Sequence, residues 1–260
     1  MARHFHLELK EIEDWNCCGA SAAHALNREL SQALPARILA LAEQQGMKEV
    51  VVPCAACYNR LMTTQHALKK DENIRKRVVD AIKMPYEGSI EILNVMQWVE
   101  RYVAPKLTET PEHPFARKVA CYYGCLLVRP HKVLQYDRVE DPQSLDRIMA
   151  QIGAEPIDWA FKTECCGAGL SVSRTKSVAR LSGQILSDAA ERGAEAIIVA
   201  CPMCHSNLDM RRPEINKALE NAVKIPVIYI TQAIGLSVGL SRKELGLDRH
   251  FVSTDEVCRI

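Results

Sequence analysis

Little of this 260-residue chain is aromatic: Phe, Trp and Tyr make up 5% of it. So few rings leave few platforms on which nucleobases could stack. Neither sign of charge dominates, because 33 Lys and Arg against 32 Asp and Glu leave a formal net charge of +1. A nucleic-acid footprint and an acidic tail are both excluded. Long apolar runs are missing too. The best candidate, 225–240, is broken by Thr231, Gln232 and two glycines, so no membrane span is expected. Met1 to Glu13 is polar and mixed in charge, without the apolar segment of a signal peptide. The expected compartment is the cytoplasm, where thiols stay reduced.

Cysteine is what the chain has in quantity, with 11 residues. In a reducing compartment that number favours metal or redox chemistry over structural disulfides. Eight of them fall into motifs, and the motifs repeat. Cys17-Cys18-Gly19 is followed by Cys54-x-x-Cys57, and Cys165-Cys166-Gly167 by Cys201-x-x-Cys204. Between pair and motif lie 35 residues in the first half and 34 in the second. A matched set of four cysteines, present twice, points to two metal sites.

The rest of the pattern is α/β. Leu26, Leu30 and Leu34 stand four apart after Ser21, then Pro35 predicts a break and a second helix ending near Gly46. Glu49–Val52 is a β-branched strand leading into Cys54. A charged helix over 72–82, a strand over 90–93 and a helix over 96–103 follow. Three prolines and no periodicity make 104–117 a linker. The second half opens with a strand over 118–123 that ends at Gly124-Cys125. A helix near 142–152, an extended piece near Ile157, a helix over 170–192 and strands at 196–199 and 227–230 complete it, with helices after each strand. Strands alternating with helices predict a mostly parallel sheet in each half. Cysteines at the carboxyl ends of strands lie where α/β sheets place ligands. The expected domains are 1–105, a linker at 106–117, and 118–260. The first half has no counterpart of the 118–123 strand or of Cys125, so its amino end reads as incomplete.

Adjacent cysteines reach one site only if the backbone turns sharply, and Gly19 and Gly167 supply that turn. In Cys-x-x-Cys, a strand end followed by a helix start puts two thiols at a helix N-terminus, which favours the thiolate. With Cys125 the second half offers five sulfurs, whereas a structural zinc takes four. Five suit a larger or less regular iron–sulfur assembly.

These motifs, with Tyr123-Gly124-Cys125 and Arg129-Pro130, resemble the cysteine-rich CCG domain family, and within it the B component of heterodisulfide reductases. The resemblance implies two pseudo-repeated CCG domains, each a small mostly parallel sheet flanked by helices, the first lacking its N-terminal strand. It further implies non-cubane [4Fe-4S] clusters, one or two. Cys125, Cys165, Cys166, Cys201 and Cys204 would hold one; Cys17, Cys18, Cys54 and Cys57 would belong to the other, where zinc is the alternative. By the same resemblance a small disulfide is reduced between the clusters. Its electrons come from a flavin-containing partner (the A component) through a small ferredoxin-like one (the C component). Two readings stand beside this one: an electron-transfer CCG subunit of a lactate, glycolate or sulfur-oxidising complex, and a zinc-stabilised interaction module.

Other features take blander readings. A thioredoxin-like role for Cys54-x-x-Cys57 leaves the Cys-Cys-Gly pairs unexplained. Cys201-Pro202-Met203-Cys204-His205 spells a c-type haem attachment pattern, but that chemistry follows export, and His205 reads as incidental. Cys121 reads as a packed strand thiol, Cys258 as a surface or partner-facing one, and 69–77 as a solvated helix face.

Overall fold

The structure is a computed structural model that describes residues 1–20, 23–107, 111–219 and 222–259. Ser21 and Ala22 of the expected first helix, and Thr108 to Thr110 of the expected linker, lie outside the described residues.

The first half runs α1 (Ala23–Leu26), α2 (Arg28–Gln44), β1 (Glu49–Val52), α3 (Ala55–Lys70), α4 (Glu72–Ile82), β2 (Glu91–Asn94) and α5 (Val95–Trp98), the last continuing in wider turns over Val99–Val103. The helix break falls at Asn27 rather than Pro35. Asn27 caps α2 by accepting from the Glu29 and Leu30 amides, and Pro35 is carried inside the helix. Its neighbour Leu34 gives its carbonyl to Asn16 Nδ2 at 3.1 Å. The apolar stripe inferred there is not core either, since Leu26 is 79% and Leu30 41% exposed. Asp71 caps α4 in the same way, and the α4 backbone stops at Lys83 in a left-handed turn.

The second half runs β3 (Lys118–Tyr122), α6 (His131–Leu134), α7 (Ser144–Gln151), β4 (Glu155–Pro156), α8 (Thr175–Glu191), β5 (Ala196–Val199), α9 (Pro202–Asp209), α10 (Arg212–Leu219), β6 (Val227–Tyr229) and α11 (Ile230–Ser237). The long helix starts at Thr175 and not at Leu170, because Ala168–Leu170 is a separate 3₁₀ turn.

Every strand pairing is parallel. β1 lies against β2, and the second sheet has the order β4-β3-β5-β6. β5 is buried along its whole length, which is why it carries Ala-Ile-Ile-Val with no polar alternation. Cys121 in β3 is fully buried. The core is continuous across both halves, including Leu39, Met96, Tyr122 and Ile197. Asn59 of α3 also ties them, donating to the Arg129 carbonyl at 2.6 Å. No helix among the described residues is long and apolar enough to cross a membrane.

Candidate metal centre

The two halves build their cysteine motifs from the same backbone. Cys54 ends the run after β1 and caps α3 at φ −131, ψ 121; Cys201 follows β5 and caps α9 at φ −135, ψ 124. Each strand delivers one thiol to a helix N-terminus, and Cys57 and Cys204 follow within the first turn. The Cys-Cys-Gly turns also match. Gly19 and Gly167 sit at φ +72 and +77, where a side chain is strained. Their amides donate back to Cys17 Sγ at 3.4 Å and Cys165 Sγ at 3.3 Å.

These turns bring sulfurs from distant positions together. Cys18 Sγ lies 2.8 Å from Cys57 Sγ, and Cys166 Sγ 3.6 Å from Cys204 Sγ. Cys54 and Cys57 interact thiol to thiol, as do Cys201 and Cys204, and Cys125 and Cys165. Across the halves Cys54 Sγ is 4.0 Å from Cys201 Sγ. The sulfurs of Cys18, Cys57, Cys54, Cys201, Cys204 and Cys166 therefore form one run, and the Cys125–Cys165 pair lines the same cavity as its second-half members. Cys17 stands apart: it is exposed, and among the described residues only the Gly19 amide donates to its sulfur.

Crowding splits the thiols electrostatically. Cys18 and Cys165 are each pulled down to about 6, first by the hydrogen bonds from Cys57 and Cys125. Their partners Cys57 and Cys125 go the other way and are raised, as is Cys204 beside Cys166, while Cys54 is raised to about 12, chiefly by Cys201. Thiolates accumulate only as neighbours keep their protons, so the sets titrate as units. A bound cation would relieve the repulsion and let every member deprotonate.

The surroundings are apolar and hold the sulfurs in place. A cavity of about 70 Å³ between the halves is lined by Cys125, Cys165, Cys166, Cys201 and Cys204 with Ala20, Ala55, Ala56, Leu126 and Met203; among the described residues no charged side chain lines it. The Cys166 carbonyl accepts from Asn207 Nδ2 and Ser182 Oγ, both at 3.1 Å, and Ser171 Oγ donates to Asn207 Oδ1 at 2.8 Å. Tyr122 OH donates to the Glu164 carbonyl at 2.6 Å, fixing the approach to the Cys-Cys-Gly turn. Sequence reasoning missed Asn207, Ser182 and Tyr122. Only Asn207 left a trace, one helical turn beyond Cys204.

The donor set decides what fits. All the converging atoms are sulfur, which excludes the oxygen-seeking Ca²⁺ and Mg²⁺ and suits zinc or iron–sulfur. In the second set five thiols share one cavity, one more than a zinc site uses. His205 is not incidental. Its ring stacks on Tyr229 with centroids 4.5 Å apart and meets His250 Nδ1 through Nε2 at 3.3 Å. With Asp209 these groups lie close enough to hold an ion. The hydrogen bonds argue otherwise. Gln232 Oε1 accepts from the Tyr229 amide, so its Nε2 donates to the Leu245 carbonyl and to His250 Nε2. That places the His250 proton on Nδ1 and leaves no lone pair there for a metal. Asp209 accepts from the Phe251 and Val252 amides at 2.9 and 3.1 Å, so the trio pins the carboxyl-terminal segment.

The sequence matches the cysteine-rich domain (CCG) family over residues 4–62 and 119–209, and the chain belongs to that family. The 8-methylmenaquinol:fumarate reductase membrane anchor subunit of Wolinella succinogenes is 29% identical over 255 residues, which cover 96% of this chain and 88% of that protein. The B component of the ferredoxin/F(420)H(2)-dependent CoB-CoM heterodisulfide reductase of Methanosarcina acetivorans is 28% identical over 248 residues (93% of this chain, 82% of that one). The B component of the ferredoxin:CoB-CoM heterodisulfide reductase of Methanosarcina mazei is 29% identical over 249 residues, again 93% and 82%. In fold, the chain is similar to a crystal structure of a hypothetical protein from Helicobacter pylori, with TM-score 0.72 at 17% identity. That match covers 88% of this chain and spans 43% of the other.

Proposed function

We propose that this chain is the iron–sulfur subunit of a heterodisulfide reductase-like complex that reduces a small thiol disulfide. The observation that carries the reading is the convergence of sulfurs from both halves, joined where Cys54 meets Cys201. Cys125, Cys165, Cys166, Cys201 and Cys204 would hold one non-cubane [4Fe-4S] cluster. Cys18, Cys54 and Cys57, with Cys17, would hold the second group, iron–sulfur in this reading and zinc in the alternative. When bound, such clusters supply single electrons, and breaking a disulfide takes two electrons and two protons to give two thiols.

The chain's own residues set up that chemistry. Cys54 and Cys201 keep the two sets in contact. Ala20, Ala55, Ala56, Leu126 and Met203 line the cavity with apolar surface, and Cys166, Cys201 and Cys204 are buried in it. Asn207 and Ser182 hold Cys166, and Tyr122 holds the turn before it. The electrons would come from the flavin-containing A component through the ferredoxin-like C component. A reducing compartment, the cytoplasm, suits the free thiols. We read 1–105 and 118–260 as the two repeats and 106–117 as the link between them.

The test is turnover. Anaerobically purified brown protein should oxidise a reduced viologen dye while releasing two thiols per disulfide. Colourless protein holding zinc would contradict the reading. A second reading, electron transfer without disulfide cleavage, is favoured by the likeness to the fumarate reductase anchor protein. It predicts the same brown colour and dye oxidation by a quinone analogue, with no thiol release.

A further inference from the structure

The turn that presents Cys125 is tied to both halves of the chain. It opens at Gly124 and runs through the 3₁₀ turn Cys125–Leu127, and the Arg129 amide closes it by donating to the Cys125 carbonyl at 3.1 Å. In the second half it is fastened to the approach of Cys165. The Lys162 carbonyl accepts from the Tyr123 and Gly124 amides at 2.9 and 3.1 Å, and Arg129 Nη2 donates to Thr163 Oγ1 at 3.3 Å. The tie from the first half is Asn59, which lies in α3 two residues after Cys57 and is 2% exposed. A buried amide is costly unless it is hydrogen-bonded. Asn59 Nδ2 donates to the Arg129 carbonyl at 2.6 Å and to the Leu126 carbonyl at 3.4 Å. Its Oδ1 accepts from Arg60 at 3.4 Å, and only the NH₂ end of the amide can face two carbonyls, so its orientation is fixed. The repeated unit does not itself require this amide. The matching residue of α9, two after Cys204, is Ser206, which is half-buried and turns its hydroxyl to Met210 Sδ at 3.2 Å. Residues 1–16 contain no cysteine, so Ser206 has no such turn to hold among the described residues.

We propose that Asn59 is a positioning residue for the second centre: its amide seats Cys125, the fifth sulfur, although the helix that carries it serves the first set. The proposal rests on the iron–sulfur reading of the five-cysteine set. Cys125 lines the same cavity as Cys165, Cys166, Cys201 and Cys204 but stands outside the Cys-Cys-Gly and Cys-x-x-Cys motifs. Its place therefore depends on what holds its own turn. Without the Asn59 amide two carbonyls of that turn lose their donor, while Cys166 keeps the support of Asn207 and Ser182. Loss of an outer support of this kind lowers metal affinity by about 10–100-fold. The second centre is thus a joint product of both halves.

The experiment compares the wild type with Asn59→Leu, which is apolar and of similar shape, and Asn59→Asp, which keeps the shape but loses the donor. Anaerobically purified full-length proteins are counted for iron, titrated with EDTA and alkylated with iodoacetamide, and mass spectrometry locates the modified cysteines. Both variants should give up iron at about a tenth of the wild-type EDTA concentration. Cys125 should be alkylated first, ahead of Cys18 and of Cys57, the nearer cysteine in sequence. In a Cys125→Ala background, Asn59→Leu should change neither iron content nor EDTA sensitivity further, whereas a general loosening of the fold would still do so. If Cys57 or Cys18 is released before Cys125, if iron is retained as in the wild type, or if the effect persists without Cys125, Asn59 does not seat Cys125, and the iron–sulfur reading stands. Should the Asn59 variants fail to fold, Thr163→Val decides, because it unties the same turn from the Cys165 side. Early release of Cys125 supports the proposal and wild-type behaviour overturns it. Wild-type protein without iron in the five-cysteine set overturns the iron–sulfur reading and the proposal with it.

Discussion

Cys54 Sγ stands 4.0 Å from Cys201 Sγ, although 147 positions separate them in the chain. Each is the cap of the helix that follows a parallel strand, and they occupy equivalent places in the two halves. The contact makes the two sulfur sets neighbours, not separate pockets. It also means that neither set can be disturbed alone.

Loss of either junction sulfur should therefore be felt on both sides. Cys54→Ala and Cys201→Ala should each lose the metal of their own set and alter the visible absorption of the other. Metal analysis combined with absorption spectra checks this; an unchanged spectrum from the intact set would argue that the sets are independent.

Cys121 and Cys125 lie four residues apart but in different environments. Cys121 is fully buried in β3, and Cys125 faces Cys165. Cys121→Ala should cost about 1 kcal/mol of stability and leave metal content unchanged. Cys125→Ala should empty the second set with little effect on the metal-free fold.

Gly124 should not tolerate a side chain. It adopts φ 67, ψ 173, and a Cβ there would lie 3.1 Å from Cys204 Sγ. Gly124→Ala should destabilise the fold by about 1–3 kcal/mol and displace Cys204, lowering metal content. Gly46→Ala, also at positive φ but in open space, should cost stability alone. Thermal unfolding and iron assays on both variants separate the two effects.

Acid should loosen the carboxyl-terminal segment. Burial pulls His205 down to about 4 and also lowers His250. The unfolded chain takes up protons near pH 6.5, before the folded one does. Stability is thus complete above that pH and is lost as pH falls toward 4, by about 3 kcal/mol at most for His205. Denaturant titrations of the metal-free protein should show this slope, and His205→Gln should flatten it.

What could be read from the sequence was whatever rests on local spacing. The strand at Glu49–Val52, its helix, and the β5–Cys201–α9 unit follow from β-branched runs ending at Cys-x-x-Cys. The Cys-Cys-Gly turns follow from glycine's freedom at positive φ. The break at Asn27 was missed because an N-cap side chain outweighs the warning given by Pro35 inside the helix. The exposed Leu26 and Leu30 show that four-residue spacing reports a face but not what covers it. Meeting of Cys54 with Cys201, the hold of Asn207 on Cys166, and the His205–His250 pin are long-range facts of packing. No spacing encodes them.

The central claim is that these sulfurs hold iron at two adjoining places. Anomalous scattering at the iron edge, on crystals of anaerobically purified protein, tests it most directly. The account predicts iron density within bonding reach of Cys125, Cys165, Cys166, Cys201 and Cys204, and a second patch at Cys18, Cys54 and Cys57. Density at the zinc edge only, or iron absent from the five-sulfur cavity, would contradict it.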